Sequence, residues 1–599
     1  MIKFKLPDGS MREAEFSSEE GRKVFWHTGA HILAQAVKNL FPDAKLGMGP
    51  AIDNGFYYDF DVEKPFTPED LEAIEKEMAR LVKANYKLNR FTLTRGEALE
   101  LMRGEPYKSE LINDLPDGQE ISFYEQGEGG NKFIDLCAGP HLCAAGSLKA
   151  FKLLSSTGAY WKGSEKNKML TRIYGVAFPN KAELREHLEM LEEAKKRDHN
   201  KIGRELGYFT TVDYIGQGLP IMMPKGAKVL QILQRFVEDE DERRGYILTK
   251  TPFMGKRETY QISGHWEKYR DGMFIIGDED SPDALALRPM TCPFQFQVYL
   301  AKMRSYRDLP MRLSETAHLF RNESSGEMHG LIRVRQFTLS DGHIVCRPDQ
   351  LEAEFLGCLE YIQFLFRILG LEGEVWYRFS KWDENNREKY IGEPEQWEST
   401  QNKMRVMLDN FGLQYDEADG EAAFYGPKLD VQAKNVHGKE DTLFTLQIDF
   451  ALAERFGMDY VDADGVKRFP YIIHRSSIGC YERTLALLLE KYAGAFPTWL
   501  APVQVKILPV GHTAHDYAHE FGGELRARGV RVEVDDRNEK IGFKIREAQL
   551  EKSPYMLVVG DREAESGTVS VRSRREGELG AVSREDFADK IMKEIADKN

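Results

Sequence analysis

Six cysteines in 599 residues, widely spaced, do not make a disulfide framework, and they suit a reducing cytosol. No apolar run approaches the ~18 residues that suggest a membrane span. The opening, MIKFKLPDGS, lacks both the apolar core of a signal peptide and an Arg/Ser-rich transit pattern. No GxxxxGK(S/T) phosphate loop is present, so any nucleotide must be held another way. Internal repeats and low-complexity tracts are absent as well. Positive charge is in deficit: the formal net charge of −15 argues against nucleic acid as a partner, though a local basic patch leaves it open. What remains is 42% apolar and 30% charged, an ordinary soluble composition in a chain too long for one core. Three or four domains are expected.

The most informative stretch is Phe320 to His343, FRNESSGEMHGLIRVRQFTLSDGH. It reads as a strand end, a polar turn at Ser324, Ser325 and Gly326, and a returning strand that starts in Leu331–Thr338. Side chains two apart share a strand face. Arg333, Arg335, Phe337, Asp341 and His343 have one parity and would line one face if no bulge intervenes. Burying such a set as plain core is costly. Arg321 opens the turn, with Glu323 two residues on, and arginine forks onto phosphate oxygens. A charged surface hairpin is the competing reading.

Upstream, Ser18 can cap a helix through GRKVFWHTGAHILAQAVKNLF, with Glu20 in its first turn. Val24, His27 and His31 lie on one face of it. A second cluster is Asp135-Leu136-Cys137-Ala138-Gly139-Pro140-His141, where Gly-Pro forbids a helix and Cys137 and His141 converge from a loop. Two histidines, a cysteine and a third histidine are also a credible zinc set. The alternative is two unrelated histidine pairs, one of them packed.

Residues 181–207, AELREHLEMLEEAKKRDHNKIGREL within them, read as one solvated helix stopped by Gly207. It either bridges two domains or lies on the surface of one. Residues 208–498 mix strands and helices without βαβ alternation, which suits a largely antiparallel sheet with helices packed on it. Val229–Arg244 is expected to be an amphipathic helix and Tyr246–Pro252 a strand. FPTWLAP, ending at Pro502, marks a junction. Beyond it VQVKILPV, RVEVDD and YMLVVG alternate with helical segments, as in an α/β domain with a mostly parallel core.

The Phe320–His343 stretch resembles motif 2 of the class II aminoacyl-tRNA synthetases. Its wider wording, RNE then HGLxRVRxFTxxDxH, is similar to that of the threonyl-tRNA synthetase family, and the similarity runs from about residue 20 to the C-terminus. Ile473–Tyr492 resembles motif 3, and the helix–strand–proline unit ending at Pro252 resembles motif 1, which implies a homodimer. HxxxH with CxxxH, GFYYDF, GEPYK and STGAYWKG resemble the editing domain shared with alanyl-tRNA synthetases. The implied organisation is multidomain α+β and α/β. Residues 1–16 are a remnant of a ubiquitin-like module, 17–180 an editing domain and 181–207 the linker helix. Residues 208–498 are a class II antiparallel-sheet catalytic domain, and 499–599 an α/β anticodon-binding domain.

The resemblance also implies roles. Cys292, His343 and His474 correspond to three zinc ligands, one zinc per chain. Arg321 would meet the α-phosphate of ATP and Arg483 the γ-phosphate, with Arg333 and Gln447 beside them. Phe337 would stack on adenine, Glu323 would hold its edge, and magnesium would bridge the phosphates. Asp341 and Tyr425 would hold threonine, with Lys428 and His265 assisting catalysis. His27, His31, Tyr58, Lys108, Asp135, Cys137 and His141 would hydrolyse mischarged ester. Asn538, Glu563 and Arg572 would read anticodon bases. The implied activity is a threonine–tRNA ligase acting on ATP, L-threonine and tRNA(Thr) in the cytoplasm, with no membrane association. The alternatives are a synthetase for another amino acid and a synthetase-derived RNA-binding or regulatory protein. Three departures stand out: Phe294-Gln295 where the family usually has Gly-His, Leu339 for a common glutamine, and Arg288 for a usual lysine. The Leu339 and Phe294 changes are expected to alter the pocket.

Overall fold

The structure is a computed structural model that describes residues 1–598 except Asp53, Glu165 and His437. The chain divides into two compact units, Met1–Glu192 and Glu193–Asn599.

The first unit is organised around helix α1, Glu19–Leu40. Ser18 caps it, its hydroxyl accepting from the Gly21 amide at 3.1 Å. The apolar face of α1 packs Phe25, Ile32, Leu33 and Val37 against Phe56, Tyr58 and Phe60 of the Gly55–Asp61 strand. Gly29 permits this approach, because a Cβ there would meet the Phe56 ring at 2.8 Å. Residues 1–16 pack onto this unit. The Ile2–Lys5 strand pairs with Met11–Ala14 on one side and His141–Leu142 on the other, and Phe4 is fully buried in the same core.

The expected single linker helix is two helices, Lys181–Arg197 and His199–Glu205. Asp198 breaks it: its backbone is non-helical (ψ 120°) and its carboxylate caps the second helix at the Asn200 amide. Gly207 does stop that helix, at φ +70°.

The second unit holds an eight-stranded sheet. The amphipathic helix expected before it is α2, Pro224–Arg243. The strand after α2 is only Ile247–Leu248. Helix α3, Cys292–Leu300, precedes β1, Met311–Phe320, and β2, Gln336–Cys346. Strands β3 (Lys428–Lys434), β4 (Glu440–Asp449) and β5 (Tyr471–Cys480) follow, and helix α4, Tyr481–Tyr492, closes the set. The sheet order is 247–248, β1, β2, β5, β4, β3, 375–380, 415–418, antiparallel except for the two outermost pairs. The Leu351–Leu369 helix buries Phe355, Leu359, Ile362 and Phe366 beneath it.

The junction before residue 503 is packed rather than open: Phe496, Trp499, Leu500 and Ala501 belong to the same core as the large sheet. Arg531 donates to the carbonyls of Ala501 and Trp499, and Arg574 to that of Ala495. The C-terminal sheet, order 532–534, 505–509, 555–559, 568–573, 577–583, is parallel only over its first three strands. The last two form an antiparallel hairpin, and the first of them also pairs antiparallel with 555–559.

Candidate active sites

A cavity of about 220 Å³ opens on the face of the large sheet. Strand β2 supplies Phe337, Leu339 and Asp341, with Gln447 from β4 and His474 and Ser476 from β5 beside them. Their alignment is set by register: Asp341 pairs with Ser476, His343 with His474, and Gln447 with His474 on the other side. The parity expected of β2 holds from Phe337 to His343, since its pairing with β1 is unbroken. It fails for Arg333 and Arg335. The strand starts at Gln336, and a turn bonded between His329 and Arg333 precedes it. Arg333 still reaches the cavity from that turn, with its Nε 2.7 Å from the Glu323 carboxylate, whereas Arg335 donates to the Glu323 carbonyl and does not line it.

Arg321 and Arg483 both line the cavity. The Arg321 guanidinium lies 5.2 Å from the centre of the Phe337 ring. Arg483 stands in the first turn of α4, its Nε donating to the Ile332 carbonyl at 3.0 Å. The bulge that lets β5 turn into α4 carries Gly479 at φ +68°, where a Cβ would meet the Leu443 carbonyl oxygen at 2.1 Å. Asp341 is buried, and burial raises its pKa above the usual carboxylate value.

Cys292, His343 and His474 converge with their ligand atoms all within 4.8 Å of one another, and Cys292 and His474 also line this cavity. His474 Nδ1 lies 3.4 Å from Cys292 Sγ and 3.1 Å from His343 Nε2. The outer nitrogens are occupied: His343 Nδ1 meets Gln295 Oε1 at 2.5 Å and His474 Nε2 meets Asp449 Oδ2 at 2.9 Å. Both outer partners are acceptors, so both rings carry their proton outward and turn lone pairs inward. Burial pushes the His343 pKa well below its ordinary value, which favours the neutral ligand form. Two imidazole lone pairs and a thiol facing one point fit a bound zinc ion.

Other expected residues fall outside the cavity wall. His265 is buried against Phe424, ring centres 4.9 Å apart, with Nδ1 2.9 Å from Ser263 Oγ. Lys428 is held by Asp430 at 2.7 Å. Tyr425 does line the cavity and stacks on His474 at 4.8 Å. Leu339 lines it too, but Phe294 packs away from it with Tyr260 and Trp266, so only the first of those departures reaches the pocket. Sequence reasoning missed Asp449 and Thr445. Asp449 has the parity of Gln447 in LQIDF, the one signal that could have found it.

In the first unit α1 and the loop before the His141–Leu142 strand bring His27, His31, Cys137 and His141 together. Cys137 Sγ lies 3.3 Å from His27 Nε2 and 3.2 Å from His141 Nε2. Thr28 Oγ1 donates to the Val24 carbonyl and so accepts from His141 Nδ1 at 3.2 Å, which leaves His141 Nε2 facing the thiol. Behind this cluster Lys108 and Asp135 form a buried ion pair at 2.7 Å, and the Tyr58 hydroxyl donates to Asp135 at 2.5 Å. Burial, with Lys108 adding to it, lowers the His27 pKa to about 4, and burial pushes the Cys137 thiol up to about 12. At neutral pH the cluster therefore holds neutral imidazoles and a protonated thiol. Only His27 of these lines the open cavity of about 710 Å³ bounded by Val24, Pro50 and Pro140. A neutral imidazole at the edge of an open cavity can take a proton from water.

In the C-terminal sheet Asn538 is exposed on a loop, Arg572 pairs with Glu578 across the hairpin, and Glu563 accepts from Ser570 Oγ at 2.9 Å and the Gly560 amide at 3.0 Å.

Residues 274–492 match the class II core domain of tRNA synthetases (G, H, P, S and T). Residues 504–594 match an anticodon binding domain, and 121–174 the threonyl and alanyl tRNA synthetase second additional domain. The fold is that of a class II aminoacyl-tRNA synthetase. The chain is 63% identical to a threonine–tRNA ligase of Clostridium perfringens over 592 residues, 99% of this chain and 91% of that protein. It is 50% identical to one from Caldanaerobacter subterraneus, over 99% and 90%. It therefore belongs to the threonine–tRNA ligase family. Among solved structures, the RNA binding domain of threonyl-tRNA synthetase from Cryptosporidium parvum aligns with TM-score 0.62 and 32% identity, over 66% of this chain and 98% of that one. A putative threonyl-tRNA synthetase from Aeropyrum pernix aligns with TM-score 0.58 and 26% identity, over 67% and 96%.

Proposed function

We propose that this chain activates L-threonine with ATP, transfers it to the 3′ end of tRNA(Thr), and hydrolyses Ser-tRNA(Thr) in its first unit. The observation that carries the reading is the single cavity lined by Arg321 and Arg483 together with Cys292, His474 and Asp341. Attack of the threonine carboxylate on the α-phosphate builds charge on phosphoryl oxygens, which fixed guanidiniums stabilise. Arg321 takes the α-phosphate and Arg483 the γ-phosphate; Arg333 and Gln447 complete the ATP site, Phe337 the adenine face and Glu323 its edge. Magnesium accompanies the ATP phosphates. Tyr425 holds threonine beside His474.

Cys292, His343 and His474 would hold one zinc ion, which would supply Lewis acidity toward the substrate's amino and hydroxyl groups. Asp341 accepts a hydrogen bond from that hydroxyl. Valine offers no such donor, and losing such a polar contact can cost about 10⁴–10⁵-fold. Serine lacks only a methyl, worth roughly 10–200-fold, so a second site is required. His27, which lines the open cavity, is assigned to activate the hydrolytic water there, with the Lys108–Asp135 pair and Tyr58 assisting. Arg572, Glu563 and Asn538 are assigned to the anticodon, His265 and Lys428 to assisting transfer. The exposed Ile247, Leu248, Phe253 and Met254 support a homodimer face in this segment, and the cytoplasm is the assigned compartment.

ATP–pyrophosphate exchange tests this directly. Strong exchange with threonine, weaker with serine and none with valine is expected, with about one zinc per chain, as one three-ligand site implies. Folded, zinc-loaded protein without exchange would overturn the catalytic reading.

A further inference from the structure

A hydrogen-bonded relay behind the metal centre ends on Gln295. This residue lies in α3, one turn after Cys292, and is fully buried. Its amide touches two groups: Oε1 is 2.5 Å from His343 Nδ1, and Nε2 donates to Thr249 Oγ1 at 2.7 Å. Thr249 favours that direction, because its hydroxyl proton has acceptors of its own in the Ser314 carbonyl at 3.0 Å and Glu315 Oε2 at 3.4 Å. Beyond it stands a buried polar set that fixes the neighbouring backbone. Glu315 accepts from Arg288 at 2.9 Å and from Thr251 Oγ1 at 2.8 Å, and Arg288 Nη1 donates to Thr251 Oγ1 at 2.6 Å.

The direction of the relay has a chemical consequence. With its NH₂ committed to Thr249, the Gln295 amide presents only its oxygen to His343. An amide oxygen accepts and cannot donate. His343 must then carry its proton on Nδ1 and leave Nε2 bare, toward Cys292 Sγ and His474 Nδ1. A flipped amide would put an N–H against Nδ1, move the ring proton to Nε2 and aim it at the ligand cluster.

We propose that Gln295 is a positioning residue for the metal centre. Held by Thr249, it selects the His343 tautomer that can bind a metal. The inference rests on the reading of Cys292, His343 and His474 as zinc ligands. It separates two jobs: Asp449 orients His474, and Gln295 orients His343 through a relay anchored on another part of the sheet.

Zinc affinity of the purified full chain, read by competition with a chromophoric chelator and zinc salt alone, tests it. Gln295→Leu is expected to loosen zinc by about 10–100-fold, the range for partners that orient a metal-bound histidine. Gln295→Glu keeps an acceptor facing Nδ1 and is expected to bind within a few-fold of wild type. Thr249→Val, which frees the amide to flip without touching α3, is expected to loosen zinc several-fold. Unfolding midpoints of the metal-free forms report whether Gln295→Leu folds, and Thr249→Val carries the test if it does not. Wild-type affinity in both Gln295→Leu and Thr249→Val overturns the proposal, as does a Gln295→Glu variant as weak as Gln295→Leu. Wild-type protein that takes up no zinc overturns the metal reading and this inference with it.

Discussion

Asp449 Oδ2 lies 2.9 Å from His474 Nε2, while Asp449 Oδ1 accepts from the amides of Ala451 and Leu452 at 2.8 and 2.9 Å. The carboxylate is fully buried and cannot swing, so the ring it holds cannot turn either. Asp449→Ala is expected to weaken zinc binding roughly 10–100-fold. Chelator competition measures this, and an unchanged affinity would contradict the assigned orientation.

Replacing His27 and His31 with Ala removes the neutral imidazole at the open cavity and its buried neighbour. Aminoacylation with threonine is expected to be unchanged, and deacylation of Ser-tRNA(Thr) to fall by about 100-fold or more, the low end for a lost general base. Undiminished deacylation would sink the assignment.

His199 is fully buried, with Nδ1 2.6 Å from Glu490 Oε1, and its Nε2 accepts from the Leu331 amide at 3.2 Å. It thereby pins the turn that carries Arg333 to the helix that carries Arg483. His199→Ala is expected to raise the KM for ATP more than the KM for threonine, and His199→Gln, which restores an acceptor, to recover part of it. Equal changes in both constants would reduce His199 to a packing role.

His265 is buried, and burial, with His474 and Arg321 adding to it, lowers its pKa to about 3. The folded-state value lies below the unfolded one. Between about pH 6.5 and 3 the unfolded chain therefore binds a proton that the folded chain does not. Stability is lost as pH falls through that window, by up to about 1.4 kcal/mol per pH unit, and is unaffected above it. His265→Gln is expected to flatten the dependence of unfolding free energy on pH by one proton. Identical slopes would refute it.

Strand β2 was legible because parity survives wherever pairing is regular, and Phe337, Leu339 and Asp341 share the cavity as alternation requires. Arg333 and Arg335 were misplaced because a turn, not periodicity, decides where that strand begins. The histidine pair was legible on α1 from its spacing of four. Residues far apart in the chain were not. His343 and His474 meet only because β2 and β5 pair in that register, and no local pattern encodes the pairing. The resemblance to a known family supplied that link. It marked Arg288 and Phe294-Gln295 as separate oddities, but the structure joins them. Arg288 lies 6.0 Å from the Phe294 ring and shares with Gln295 the polar set around Thr249, Thr251 and Glu315. Positions far apart in one dimension are neighbours in three.

The packed junction at 496–501, with Arg531 and Arg574 clamped onto its carbonyls, turns the second unit into a fixed gauge. An RNA that rests on the C-terminal sheet and reaches the cavity must span one set separation. The distance from that sheet to the cavity is set by the packed chain itself and not by a hinge.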